Sequence, residues 1–181
     1  MLLVYGANGY TGQLIVEECL TQGIRPILAA RRAESLATLA TTHSLETRIA
    51  SLDDAAALAP LLTGVRVVLH CAGPFFRTSA PMVAACLAAG VHYLDITGEI
   101  VVFETCKARH KEAVAKGIVI MPGVGFDVVP TDCLAARLNE ALPGANLLEL
   151  AFAGGGGFVV GDEVGGRGHG RVLRVWDLPS L

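Results

Sequence analysis

The sequence predicts an α/β fold: a doubly wound, mainly parallel sheet followed by a fragment of a second α+β domain. Three observations predict it. Short apolar runs alternate with helical patterns of about ten residues or more, the signature of successive βαβ units. The first apolar run leads directly into Gly6-Ala7-Asn8-Gly9-Tyr10-Thr11-Gly12, a G-x-x-G-x-x-G loop that opens a helix. Six strand-like runs precede Gly123, which suits a dinucleotide-binding sheet with right-handed crossovers.

The elements follow in order. Leu2–Tyr5 is the first strand. Leu14, Ile15, Cys19 and Leu20 give the next segment an apolar face near the helical period, and Gly23 stops it. Pro26–Ala30 is the second strand, and Ala33–Thr42 a helix with Leu36, Leu39 and Ala40 inward. After the third strand, Arg48–Leu52, a helix carries Asp53 and Asp54 near its start, where carboxylates suit the positive dipole end. It ends near Gly64. Val65–Cys71, β-branched and almost unbroken, is the fourth strand. Ser79 is expected to cap the next helix, with Pro81 in its first turn and Gly90 at its end. Val91–Ile96 is the fifth strand. Glu99–Lys116 reads as one long helix with Glu104, Lys107, Lys111, Glu112 and Lys116 on its exposed face, closed by Gly117. Ile118–Met121 is the sixth strand. Thr131–Leu142 is a helix begun by Thr131 and Asp132 and stopped by Pro143-Gly144, and Leu147–Ala153 is strand-like. From residue 154 the chain is glycine-dense and aperiodic, with Arg167, Arg171 and Arg174, and reads as a flexible tail or a poorly packed fragment. The expected division is a Rossmann-type domain over 1–145, then an incomplete substrate or dimerisation domain, or a Gly-rich tail, over 146–181.

Composition narrows the function classes. The chain has 181 residues, 52% of them hydrophobic and 17% charged, and a mean hydropathy of +0.54, which fits a sheet buried on both faces. A net charge of -3 makes no case for nucleic acid or an anionic membrane. No apolar run approaches the roughly 18 residues of a spanning helix. A strand starting at Leu2 leaves no room for a signal peptide, so the expected location is cytoplasmic. The five cysteines form no CxxC pair and read as free, buried thiols. No His, Cys and Asp set has zinc-like spacing, so no metal is expected.

The glycine loop makes separate demands. Gly6 permits a tight exit from the strand. Gly9 lets backbone N–H groups approach a pyrophosphate at the helix N-terminus, and Gly12 lets helix and sheet come close. The candidate cofactor contacts in the loop are Gly6, Asn8, Gly9, Tyr10, Thr11 and Gly12; a ligand-free strand-to-helix turn is the other reading. The end of the second strand selects the cofactor. An NAD site places an acid there for the ribose 2′-OH, and an NADP site an arginine for the 2′-phosphate. This sequence has Ala29-Ala30-Arg31-Arg32 and no acid before Glu34. Two guanidiniums suit a phosphate held bidentately, so NADP is the expected cofactor, with Arg31 ahead of Arg32. Asp53 either faces the adenine or is only a helix-start acid. Cys71, Ala72, Gly73 and Pro74 end the fourth strand, at the sheet edge that lines the crevice, near the nicotinamide half.

Proton donors are less distinct. No Tyr-x-x-x-Lys pair starts at Tyr5, Tyr10 or Tyr93. Asp95, Thr97 and Glu99 lie at the end of the fifth strand and just beyond it, and Asp127, Thr131 and Asp132 beyond the sixth. The candidate catalytic residues are Asp95, Glu99 and Asp127. Helix-start stabilisation for Glu99 and Asp132, and an Asx-type turn for Asp127, are the alternatives. His70 and His92, inside strands, are expected to be packed or hydrogen-bonded rather than catalytic.

Taken together, GANGYTG, AARR, CAGPF, YLDITGE and MPGVGFDVVPTDCLA, spread over residues 2–153, resemble the saccharopine dehydrogenase-like oxidoreductases. That family includes saccharopine reductases and bacterial trans-acting enoyl reductases. The resemblance implies an N-terminal NADP-binding Rossmann domain, with the loops after the fifth and sixth strands bordering the nicotinamide and the substrate. It also implies a second α+β domain carrying much of the substrate site and, often, dimer contacts. The expected partners are a small-molecule substrate and a second copy of the chain, with no nucleic acid and no membrane. After Leu150-Ala151-Phe152 the family's Ser-Arg/Pro-Gly-Thr-like segment is missing, and the tail reads as an abrupt replacement. Three functions therefore stand as expectations. One is an NADP-dependent oxidoreductase moving hydride to or from a C=N, C=C or C=O bond. The second is a nucleotide-binding module without catalysis, a redox sensor or truncated remnant. The third is an interaction protein that uses exposed apolar surface. The Gly-Tyr-Thr-Gly loop is also similar to that of N-acetyl-glutamyl-phosphate reductases, but their Gly-Cys-Tyr-Pro-type segment is absent and Cys133 lies in a helical pattern.

Overall fold

The structure is a computed structural model that describes residues 1–126, 128–145, 147–152 and 171–174. Asp127 and the tail from residue 154, except 171–174, lie outside the described residues. The chain divides into two units, Met1–Val129 and Pro130–Leu181.

The first unit is built on six parallel strands, β1 (Leu2–Tyr5), β2 (Ile27–Ala30), β3 (Thr47–Ile49), β4 (Val67–His70), β5 (His92–Asp95) and β6 (Ile120–Met121), in the order β3-β2-β1-β4-β5-β6. This is the doubly wound Rossmann order. The reversal falls between β1 and β4, which pair in register from Leu2 with Val67 to Tyr5 with His70. Strands that carry helices on both faces have no polar side, and β1 and β2 are buried along almost their whole length. Alternate side chains still go to opposite layers. Leu3, Tyr5, Ile27, Ala29 and Val68 pack with Met82, Cys86 and Val102 on one side. Val4, Leu28 and Ala30 pack with Val16 and Leu36 on the other.

The connecting helices are α1 (Tyr10–Thr21), α2 (Ala37–His43) after a 3-10 turn at Ala33–Ser35, α3 (Ala55–Leu61), α4 (Phe75–Ala89), α5 (Ile100–Ala108) and α6 (His110–Lys116). Four sequence expectations need correction. Leu14 is exposed; the inward face of α1 is Gly12 and Val16, one helical turn apart. Helix α4 starts at Phe75, so Ser79 is buried inside it and Pro81 lies in its second turn. Its start is set by a carboxylate from a distant segment, described below. The long helix is two: at Arg109 the ladder tightens, the Arg109 N–H bonding to Cys106 O, and α6 begins with Ala113 N–H on Arg109 O. The first strand keeps its expected bounds, β3 is shifted to start at Thr47 and ends at Ile49, and the other strands of this sheet are shorter than the apolar runs that mark them.

The second unit holds nearly all of α7 (Val129–Ala141) and an antiparallel pair, β7 (Glu149–Phe152) with β8 (Arg171–Arg174). Helix α7 therefore begins two residues before Thr131. No helix among the described residues is long and apolar enough to cross a membrane.

Candidate functional site

Parallel strands present their carboxyl ends at one edge, and the switch between β1 and β4 opens a crevice there. A cleft of about 610 Å³ occupies that place. Its floor comes from the β1 exit. Tyr5 donates its hydroxyl to Ala50 O at 2.8 Å, joining the ends of β1 and β3. Gly6 turns the chain at φ +85°, with its N–H on Ala29 O at 2.8 Å.

The three loop glycines differ in what requires them. A Cβ on Gly6 would lie 2.8 Å from Ala72 N and 2.9 Å from Cys71 C, because the loop packs backbone to backbone on the end of β4. A Cβ on Gly12 would strike the Gly6 carbonyl oxygen and lie 2.9 Å from Ala7 Cα. Gly12 thus seats the first turn of α1 on its own loop. Gly9 has an ordinary φ of -74°, and a Cβ there would meet only Gly6 O at 3.4 Å. The protein's own packing makes no demand for glycine at this position, which faces the cleft. Gly9 is also the N-cap of α1, and no side chain caps that helix. Its first-turn N–H groups are therefore available to an anion outside the protein.

At the end of β2, Arg31, Arg32 and Ser35 line the same cleft. Among the described residues neither guanidinium has an ion-pair partner; the three ion pairs are Arg48–Glu46, Arg109–Glu112 and Arg137–Glu140. On the β3 side the lining is Ser51, Leu52 and Asp53. The helix-start role belongs to Asp54, whose carboxylate accepts from Ala56 N and Ala57 N. Asp53 makes only a 3.3 Å contact with Ser51 Oγ. Cys71, Ala72, Gly73 and Pro74 form the opposite wall, continued by Arg77 and Thr78. Of the expected loop contacts, Gly6, Asn8 and Gly9 line the cleft, whereas Tyr10, Thr11 and Gly12 do not.

The β5 exit is built differently. In Tyr93-Leu94-Asp95-Ile96-Thr97-Gly98-Glu99 the polar groups fall at every second residue, on one side of extended chain. Asp95 is fully buried. Its carboxylate accepts from Tyr93 Oη at 2.7 Å, Thr97 N at 3.0 Å and Gly123 N at 2.8 Å. Thr97 Oγ1 accepts from Glu99 N at 3.0 Å. Glu99 in turn accepts from Phe75 N at 2.9 Å and Phe76 N at 2.7 Å. A carboxylate from the β5 exit thereby caps α4, which is why Ser79 is not needed as its cap. Neither Asp95 nor Glu99 lines the cleft. Together they tie the exits of β4, β5 and β6 to one another.

Burial settles the state of the nearby titratable groups. Desolvation, helped by the Asp95 charge, pushes the Cys71 thiol up to about 12, so it is neutral and a poor nucleophile at neutral pH. His70 is lowered to about 4 by desolvation. It stacks on Tyr5 and bonds Thr78 Oγ1 at 3.0 Å through Nε2. His92 Nδ1 accepts from Val119 N. All five cysteines are unpaired. Among the described residues no three His, Cys, Asp or Glu side chains converge as a metal site. The cleft residues that sequence reasoning missed are the apolar Ala30 and Leu52 and the polar Tyr5, Ser35, Ser51, Arg77 and Thr78. The last two precede the expected helix start at Ser79, because the cap that α4 uses comes from 24 residues beyond Phe75.

Comparison with known proteins agrees with this geometry. Residues 2–121 match the family described as Saccharopine dehydrogenase NADP binding domain. A putative trans-acting enoyl reductase of Mycobacterium tuberculosis is 33% identical over 172 residues, covering 85% of this chain and 41% of that protein. A human saccharopine dehydrogenase-like oxidoreductase is 29% identical over 151 residues, covering 72% and 35%. The chain thus spans about two-fifths or less of these relatives' length. Among solved structures, saccharopine dehydrogenase (L-Glu forming) from Saccharomyces cerevisiae has a similar fold, with a TM-score of 0.69 at 19% identity over 83% of this chain and 33% of that one.

Proposed function

Because the chain belongs to the saccharopine dehydrogenase NADP-binding domain family, we propose that the β1/β4 cleft holds NADP(H) for hydride transfer to or from a C=N, C=C or C=O bond of a small molecule. The observation that carries this reading is the pair Arg31 and Arg32, unpaired at the end of β2, in the same cleft as the unobstructed Gly9. In this reading the two guanidiniums take the 2′-phosphate. Gly9 and the uncapped start of α1 take the pyrophosphate. Asp53 lies towards the adenosine half, and Cys71 to Pro74 line the nicotinamide half. The cofactor supplies the hydride chemistry; the chain binds and orients it.

The carboxylates divide by position. Asp95 and Glu99 are assigned to positioning, since the hydrogen bonds they accept come from Tyr93 within β5 and from backbone N–H groups at the exits of β4, β5 and β6, and neither side chain lines the cleft. Asp127, outside the described residues, is retained as a candidate for substrate contact. We assign residues 1–145 to cofactor binding and 146–181 to the start of a substrate or dimerisation domain. A homodimer in the cytoplasm is the assembly and location that fit the family and the free thiols; light scattering that showed only monomer would remove the dimer.

Oxidation of NADPH against a panel of imines, enoyl thioesters and aldehydes tests the enzyme reading. Turnover with one class supports it and names the bond reduced. Tight NADPH binding without turnover across the panel would favour a nucleotide-binding module instead. That second reading is favoured by the absence of a free carboxylate from Asp95 or Glu99 in the cleft.

A further inference from the structure

The cleft contains a third guanidinium that the cofactor reading leaves without a task. Arg77 is exposed, lies in the first turn of α4 and lines the cleft together with Gly6, Gly9 and Gly73. Among the described residues its guanidinium has no hydrogen-bond or ion-pair partner. Its guanidinium lies 5.3 Å from the centre of the Phe76 ring, a contact that steadies the side chain without using its N–H donors. The start of α4 cannot act as a second anion cradle, because Phe75 N and Phe76 N are both spent on the Glu99 carboxylate. Any anion on the β4 side of the cleft is left to Arg77.

Charge balance points the same way. A cofactor with a 2′-phosphate brings two separate anionic groups, the monoester and the pyrophosphate. Arg31 and Arg32 stand together at the β2 end, and among the described residues Asp53 is the one carboxylate that lines the cleft. Without Arg77 the pyrophosphate would meet only neutral backbone donors. We infer that Arg77 clamps the cofactor pyrophosphate from the β4 side, opposite Gly9, as an arginine that serves NADPH and NADH alike. This inference rests on the proposal that the cleft holds NADP(H).

Binding of NADPH, NADH and adenosine 2′-monophosphate to wild type, Arg77→Ala and Arg77→Lys, followed by calorimetry or reduced-nicotinamide fluorescence, separates the cases. Arg77→Ala is expected to weaken NADPH and NADH by the same factor, roughly tenfold for one exposed charge-assisted contact. Adenosine 2′-monophosphate, which has no pyrophosphate, should bind as before, and Arg77→Lys should recover part of the loss. A loss confined to NADPH and adenosine 2′-monophosphate would overturn the inference by placing Arg77 with Arg31. Unchanged binding of both dinucleotides would overturn it by freeing Arg77 from the cofactor. A wild type that binds no NADPH would overturn the cofactor reading itself, a failure visible before any variant is compared.

Discussion

A Cβ on Gly6 would press on the backbone at Cys71 and Ala72, whereas one on Gly9 would make only ordinary contact with the Gly6 carbonyl. The two positions should therefore fail differently. Gly6→Ala adds a side chain at φ +85° against immovable backbone and should cost about 2 kcal/mol or more of stability. Gly9→Ala should unfold at nearly the wild-type denaturant midpoint but bind NADPH more weakly. If both lost stability equally, Gly9 would be a turn residue and not a ligand contact. His70 gives a second test at this scale. Thr78 Oγ1 donates to Ala72 O at 2.6 Å and so accepts from His70 Nε2, leaving the buried Nδ1 without a partner. The folded protein holds His70 neutral down to about pH 4, whereas the unfolded chain takes up its proton near 6.5. The unfolded state thus binds more protons in that window, so stability is full above pH 6.5 and falls as pH drops towards 4, by on the order of 3 kcal/mol. His70→Phe should flatten that part of the stability profile; an unchanged slope would assign it to other groups.

At the scale of elements, Glu99 serves a different helix from the one its sequence position suggests. Next to Ile100 it reads as an acid at the start of its own helix. Its carboxylate instead caps α4, which begins 24 residues earlier in the chain. Glu99→Ala should leave two amide donors unpaired, cost about 1–3 kcal/mol and speed hydrogen exchange at Phe75 and Phe76. Faster exchange confined to α5 would show that Glu99 serves only its own helix. The strands were legible in the sequence because burial on both faces leaves continuous apolar runs. The helix limits were not, wherever the deciding partner is distant or small. A proline in the second turn of α4 looks like a start signal unless Glu99 is known to supply the real one. Leu14 looks inward unless Gly12, which has no side chain to count as apolar, is recognised as the contact face of α1. The alternating Tyr93, Asp95, Thr97 and Glu99 carried a usable signal: polar groups at every second position mark one side of an extended segment, and so a brace.

Across the whole molecule, the described residues that line the cleft all fall between Tyr5 and Thr78, at the exits of β1 to β4. The net charge is -3, yet among the described residues three arginines and a single aspartate line this cleft, a local field that favours an anionic ligand on an otherwise acidic protein. The glycine loop and Arg31-Arg32 were readable from spacing alone, because the fold rule ties them to known strand ends. Arg77 was not, since its place depends on where α4 begins. A cleft that reads a 2′-phosphate must use Arg31 to tell NADPH from NADH. Parallel calorimetric titrations of wild type and Arg31→Ala with NADPH and NADH test it most directly. The wild type should prefer NADPH, and Arg31→Ala should lose roughly tenfold or more for NADPH while NADH binding stays nearly constant. Equal wild-type affinities, or equal losses for both cofactors, would contradict it.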